Sequence, residues 1–280
     1  MPALDLVTTW PVEHAAAGYV VAGQAPRSAG DLERAFPLAS VTKLLTTTAV
    51  LVAVEEGSLA LDEPVAIEGP SAPGEVTVRH LLAHTSGLPF DGDGPVARPG
   101  VRRIYSNRGI ERLADHLAHR TGLAFVDYLQ EAVLGPLGMD GTALADRSPA
   151  AGGVAPIGDV LRFGAECLAP TLVAPTTLAE ATRVQFPGLD GVVPGFGRMS
   201  PCDWGLGFEL RDGKDPHWTG SGNAPTTFGH FGGSGTFLWI DPVAGVACAG
   251  LADRDFDEWA KVAWPELSDA VLDEVRTSAR

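Results

Sequence analysis

From 40 to 56 the chain is mostly apolar, opens on Ser40 and meets Gly57 one position past its end, a pattern that predicts a buried helix. Further helical patterns recur at 78–84, 107–119, 124–133, 157–167 and 176–184, separated by Gly- and Pro-rich loops at 69–74 and 87–100. Ahead of them, 15–22 reads as a strand ending near Gly23. After Cys202 the texture changes to short β-branched or aromatic runs at 204–210, 236–240 and 246–251. Turn residues such as Asp241-Pro242 and Gly245 part these runs, which read as strands of an antiparallel meander. An amphipathic helix over 265–276 completes the pattern. This order predicts an α+β fold in which both ends of the chain, about 1–60 and 200–280, build an α/β lobe and an all-helical lobe, about 61–199, is inserted. Clefts form where such lobes meet.

Composition narrows what the cleft can serve. The 280 residues carry 20 Lys plus Arg against 35 Asp plus Glu, a net charge of −15 that repels phosphate backbones and anionic headgroups, so neither nucleic acid nor a membrane surface is an expected partner. The stretch with least charge, 35–54, contains Pro37, Lys43 and five Ser or Thr residues and makes a poor membrane span. Three cysteines, Cys167, Cys202 and Cys248, are too few and too scattered for a disulfide framework or a thiolate zinc site. With no basic-then-apolar leader at the N-terminus, they point to a reducing, cytoplasmic setting. No fixed-period repeat is present.

Lys43 is the most informative residue. The chain has only three lysines, Lys43, Lys214 and Lys261, and this one is the sole charge in 35–54, where a cation is costly. Ser40 precedes it by three positions, which on a helix puts both side chains on one face with Cβ atoms about 5–6 Å apart. Burial lowers a lysine pKa and makes its neutral amine a usable base, while the helix N-terminus favours negative charge on an alkoxide or oxyanion. The plainer alternative makes Ser40 an N-cap and lets Lys43 reach to a surface. Two other places bear on the choice. Tyr105-Ser106-Asn107 stands where a loop becomes a helix, and His230-Phe231-Gly232-Gly233 opens a strand with glycines that permit close backbone approach.

With these three motifs in order, Ser40-Val41-Thr42-Lys43, Tyr105-Ser106-Asn107 and His230-Phe231-Gly232, the chain resembles the serine β-lactamase-like family of class C β-lactamases, D-alanyl-D-alanine carboxypeptidases and related esterases. The stretches 81–89, 136–139 and 204–207 match as well, and the likeness runs over about 15–252. It implies a β-lactamase/transpeptidase-like fold, an antiparallel sheet flanked by helices, as a single catalytic domain over 1–280. It further implies Ser40 as acylated nucleophile, Lys43 as its proton acceptor and Tyr105 as proton shuttle. Asn107 would bond the substrate amide or Lys43, His230 and Gly232 would line the cleft on an edge strand, and the backbone N–H groups of Ser40 and Gly233 would form the oxyanion hole. No cofactor is implied.

Departures shape the expected substrate. His230-Phe231-Gly232 stands where β-lactamases usually carry Lys-Thr-Gly, and a neutral imidazole beside a Phe is a poor partner for a β-lactam carboxylate. The chain has little ahead of its first strand, so the family's N-terminal helix is expected to be missing. Among rival chemistries, His80 with His84 and His116 with His119 have metal-compatible spacing, but no Glu follows His80 and the last two read as a solvated face, so no metal is expected. The acidic cluster Asp253, Asp255, Asp257, Glu258 lacks calcium-loop features, and no Gly-x-Ser-x-Gly elbow occurs. The expected activity is acyl-enzyme hydrolysis of small esters or amides, with a penicillin-recognising sensor or scaffold that acylates without turnover as the alternative.

Overall fold

The computed structural model describes residues 2–67, 75–92, 94–144 and 148–278; the loop expected at 69–74 lies outside the described residues. The run at 15–22 folds as strand β1 (Ala15–Val21), followed by β2 (Arg27–Gly30), which no apolar pattern announces, and the two-residue β3 (Phe36–Pro37). The long apolar run becomes α1 (Thr42–Glu55), buried at every position from Thr42 to Ala53, with Gly57 in the left-handed region past its end. Next come α2 (Val78–Leu82), α3 (Asn107–Thr121), α4 (Phe125–Leu129), β4 (Val154–Ala155), α5 (Ile157–Leu168) and α6 (Pro175–Ala181). A hairpin of β5 (Gly191–Val193) and β6 (Gly197–Met199) precedes β7 (Glu209–Leu210), β8 (Phe228–Gly232), β9 (Thr236–Asp241), β10 (Val246–Ala252) and α7 (Glu258–Ser278).

Six strands form one antiparallel sheet in the order β2-β1-β10-β9-β8-β7, closed across the chain by Ala15 opposite Ala252. Both faces are covered, and the period-2 alternation of strands divides their side chains between two cores. Leu238 and Ile240 of β9 join the core under α1 and α5, whereas Phe237 and Trp239 join the one under α7. On α7, Ala260, Trp264, Leu267 and Val271 recur at helical spacing and supply the stripe that meets this second face. Gly164 lets α5 lie close on the sheet, since a Cβ there would sit 3.0 Å from the Ala247 Cβ.

Several expectations need correction. The helix expected at 265–276 begins at Glu258 and carries Pro265 inside it. The region expected as a strand at 204–210 is strand only at Glu209–Leu210. Gly207 adopts φ +70° where a side chain would collide with Thr47, and the chain wraps against α1 instead of extending. Helix α5, counted by position with the helical lobe, packs on β1, β9 and β10. The N-terminal place is not bare: a 3₁₀ turn at Ala3–Thr9 packs on α7 through Ala3 and Val7. The pattern at 124–133 is α4 running into one π turn, Gln130–Leu134.

Candidate active site

Ser40 lies in a 3₁₀ turn, Ala39–Val41, that leads into α1, and its side chain caps nothing. Lys43 is fully buried. The N-cap-and-surface alternative is therefore not what the fold makes of this pair. The Lys43 Nζ is 3.1 Å from Ser40 Oγ, 2.7 Å from Asn107 Oδ1 and 2.9 Å from the Ala150 carbonyl oxygen. Asn107 thus takes the second of its two expected partners. Burial lowers the Lys43 pKa to about 7, against the opposing charges of Glu111 and Asp91. A neutral amine has two N–H bonds, which Asn107 and Ala150 use up, and its lone pair then faces Ser40.

Tyr105 completes the group by donating its hydroxyl to Ser40 Oγ at 2.7 Å. Burial pushes its phenol pKa above the ordinary value, so it is a protonated hydroxyl rather than a resident phenolate. Its ring is walled by His84, Phe90, Trp204 and His230, with centroids 4.8–5.9 Å away. The neighbouring Ser106 caps α3, accepting from the Gly109 N–H at 2.8 Å, and this fixes Tyr105 and Asn107 on either side of the cap.

The third motif arrives from the sheet. Gly232 closes against the turn that carries Ser40, where a Cβ would come within 2.4 Å of the Leu38 carbonyl oxygen and 3.1 Å of the Ala39 Cβ. Ser234 Oγ donates to the Pro37 carbonyl at 2.5 Å and Thr236 Oγ1 to that of Leu38 at 2.9 Å, so the β8–β9 turn is laced to the residues that precede Ser40. Between them Ala39 takes φ +43°, a left-handed conformation that this lacing holds. The Gly233 N–H, just past the end of β8, donates to no protein acceptor among the described residues.

His230 departs from expectation. It is 3% exposed, not a cleft-surface residue, and its strand is next to last. The edge strand β7 pairs only with Phe228 and Gly229, which leaves the outer edge of 230–232 without a sheet partner. His230 Nδ1 is 2.6 Å from the Phe231 carbonyl oxygen, and Nε2 is buried without a partner beside Tyr105 and Trp204. Burial, with the nearby Lys43, lowers its pKa to about 4, so it is neutral at physiological pH. Phe231 points through the sheet to Trp218, Phe256 and Trp264 and does not meet the cleft at all.

The paired histidines do not assemble a metal set. His80 Nδ1 bonds Thr77 at the start of α2, His84 Nδ1 accepts the Ser106 N–H, and His116 Nε2 meets Glu63 at 2.7 Å rather than lying on a solvated face.

The protein-family model for β-lactamase matches residues 4–272. The chain belongs to the β-lactamase family. A crystal structure of a β-lactamase from Mycobacterium bovis is 49% identical over 98% of this chain and 99% of that one, with a TM-score of 0.93. The D-alanyl-D-alanine-carboxypeptidase/endopeptidase AmpH of Escherichia coli K12 is 28% identical over 40% of this chain and 37% of its own length. Esterase EstB of Burkholderia gladioli is 46% identical over 31% of this chain and 24% of its own. The matched stretches thus span less than two fifths of either curated relative.

Behind the aromatic wall this β-lactamase-family protein holds a buried ionic cluster that sequence reasoning missed. Glu209 on β7 accepts from Trp218 Nε1 at 2.7 Å and lies 3.4 Å from His217 Nε2 and 3.6 Å from Lys214 Nζ. Burial alone would raise its pKa, but Lys214 and His217 hold it down to about 2. Lys214 in turn donates to the Asp203 and Leu210 carbonyls and sits 5.8 Å from the Trp204 ring centroid. The scarcity of lysine that singles out Lys43 applies to Lys214 as well, and was the available signal. Glu209→Gln, which leaves the ammonium buried without its counter-charge, is expected to cost about 3–5 kcal/mol of stability in urea denaturation at neutral pH. An unchanged midpoint and slope would remove the cluster from the fold's support.

Proposed function

We propose that this protein is a serine hydrolase that carries the acyl group of small esters or amides on Ser40, with esters preferred over carboxylate-bearing β-lactams. The supporting observation is the hydrogen-bond count at Lys43: once its two N–H bonds are spent, the lone pair has only Ser40 to serve. In the proposed cycle Lys43 takes the Ser40 proton as Oγ attacks the carbonyl, and the oxyanion is met by the N–H groups of Ser40 and Gly233. Collapse of the intermediate breaks the ester bond, and the leaving alkoxide receives the Lys43 proton through Tyr105. Water, losing a proton along the same path, then releases the acid.

The ester preference rests on the third motif. A neutral His230 and a Phe231 turned away toward α7 leave the sheet side of the site without a cation. A charge-assisted hydrogen bond contributes roughly 1.5–3 kcal/mol, so its absence is expected to lower turnover of a β-lactam carboxylate by about 10- to 150-fold. In a panel of p-nitrophenyl acetate, p-nitrophenyl butyrate, nitrocefin and a D-Ala-D-Ala peptide, the short esters should show the highest kcat/KM. Nitrocefin outrunning both esters would overturn the preference. A stoichiometric burst without steady turnover on every substrate would favour the sensor instead.

A further inference from the structure

Beside Tyr105 lies a groove of about 980 Å³, a size suited to a small molecule, formed between the segment that leads into Tyr105 and the β5–β6 hairpin. Its walls carry an unusual share of exposed apolar surface. Of nine exposed large hydrophobic residues among those described, Phe90 (48%), Val101 (60%) and Val192 (57%) line this one groove. Phe90 also stacks on the Tyr105 ring at 5.8 Å, which joins the groove to the phenol that touches Ser40. Contiguous exposed apolar surface of this kind marks a place that something covers.

The groove's charges differ in how they are engaged. Arg103 is buried and donates to the carbonyls of Ala83, Gln185, Phe186 and Cys202, which pins the Tyr105 segment to the chain on the opposite wall. Arg198 is paired with Asp190 at 2.5 Å, and Asp190 also accepts from Ser200, so both members of that pair are committed. Arg102, next to the buried Arg103, is exposed, lines the groove and has no hydrogen-bond or ion-pair partner among the described residues. In a chain of net charge −15, an uncommitted guanidinium on an apolar wall is a selective feature.

We infer that Arg102 is an anion-recognising residue of the substrate groove, and that the groove takes amphipathic esters with an apolar segment against Phe90, Val101 and Val192 and a carboxylate at the far end. This rests on the Ser40 hydrolase reading and deepens it. It is compatible with a poor β-lactamase, because the sheet side still lacks a cation and the anion is met at a different wall. A guanidinium pairs a carboxylate through two parallel N–H donors, and its apolar stem extends the wall.

The test uses the full chain and two pairs of esters. Mono-p-nitrophenyl adipate against p-nitrophenyl hexanoate places the charge on the acyl side. The butyrate ester of 3-hydroxybenzoate against that of its methyl ester places it on the alcohol side. For the side that enters the groove, Arg102→Met is expected to lower the ratio of kcat/KM for the charged over the neutral ester roughly three- to tenfold, an effect that shrinks with added salt. Arg102→Glu should lower the same ratio further than Arg102→Met does, since it adds a like charge to the loss of the guanidinium. Turnover of the neutral esters with the ratio unmoved in both variants and both pairs would overturn the anion site alone. No turnover of any ester by the unaltered protein would overturn the hydrolase reading and this inference with it.

Discussion

Ser40→Ala is expected to end ester turnover and covalent labelling together, with a loss of kcat/KM of ~10⁴-fold or more, as removal of a nucleophile from a cooperating group does. The fold should survive, because the Ser40 side chain caps no helix and its two partners keep other bonds or packing. Competing serines are engaged elsewhere. Ser106 Oγ donates to the Pro89 carbonyl and Ser86 Oγ accepts the Leu88 N–H, and neither lies beside an amine. A fluorophosphonate probe read by intact mass should therefore label the unaltered protein once and the variant not at all. Labelling that persists at another serine would move the nucleophile.

Lys43→Met is expected to slow acylation by ~10²–10⁴-fold, the usual contribution of a positioned general base. Its pH profile separates a base from a structural prop. With a folded pKa of about 7, the amine is the working base only above that value, so kcat/KM should fall tenfold per unit on the acid side and level off above it. No falling limb is expected from Tyr105 in the neutral range, because its phenol titrates above the ordinary value. In Lys43→Met the acid limb should vanish along with the rate. The same shift acts on stability with a definite sign. Between about 7 and 10.5 the unfolded chain holds a proton that the folded chain does not, so this group's penalty is full below pH 7 and fades as the pH rises. Near-normal acylation by a folded Lys43→Met protein would shift the base role to Tyr105.

Ser40 and Lys43, the proposed nucleophile and base, were legible because the 3₁₀ turn bearing Ser40 runs directly into α1, so that a spacing of three still converts into contact, and because a lysine in an apolar run has few explanations. Tyr105 and Asn107 were legible from their motif and the capping serine between them. The third partner of Lys43 was not, since a backbone carbonyl at Ala150 has no side-chain signature. The face on which Phe231 lands was missed for a related reason. Glycines at 229, 232 and 233 erase the alternation that would have separated cleft from core, and only pairing with Phe237 and Leu238 settles the register. The expected strand at 204–210 failed where Gly207 turns the chain against α1, a long-range contact with Thr47 that no local pattern encodes.

The pairing of β1 with β10 has a consequence for biosynthesis. A strand at Ala15–Val21 waits for a neighbour at Val246–Ala252, and until then it has only β2, a hairpin too small to persist in water. At a synthesis rate of about 5–20 residues per second that interval lasts roughly ten to fifty seconds, during which the apolar face of α5 and the turn that bears Ser40 have no completed sheet to pack on. A nascent chain thus keeps this apolar surface open until its last strand has emerged. Cellular yield of this protein should accordingly respond to chaperone supply and elongation rate more than to substitutions on its surface.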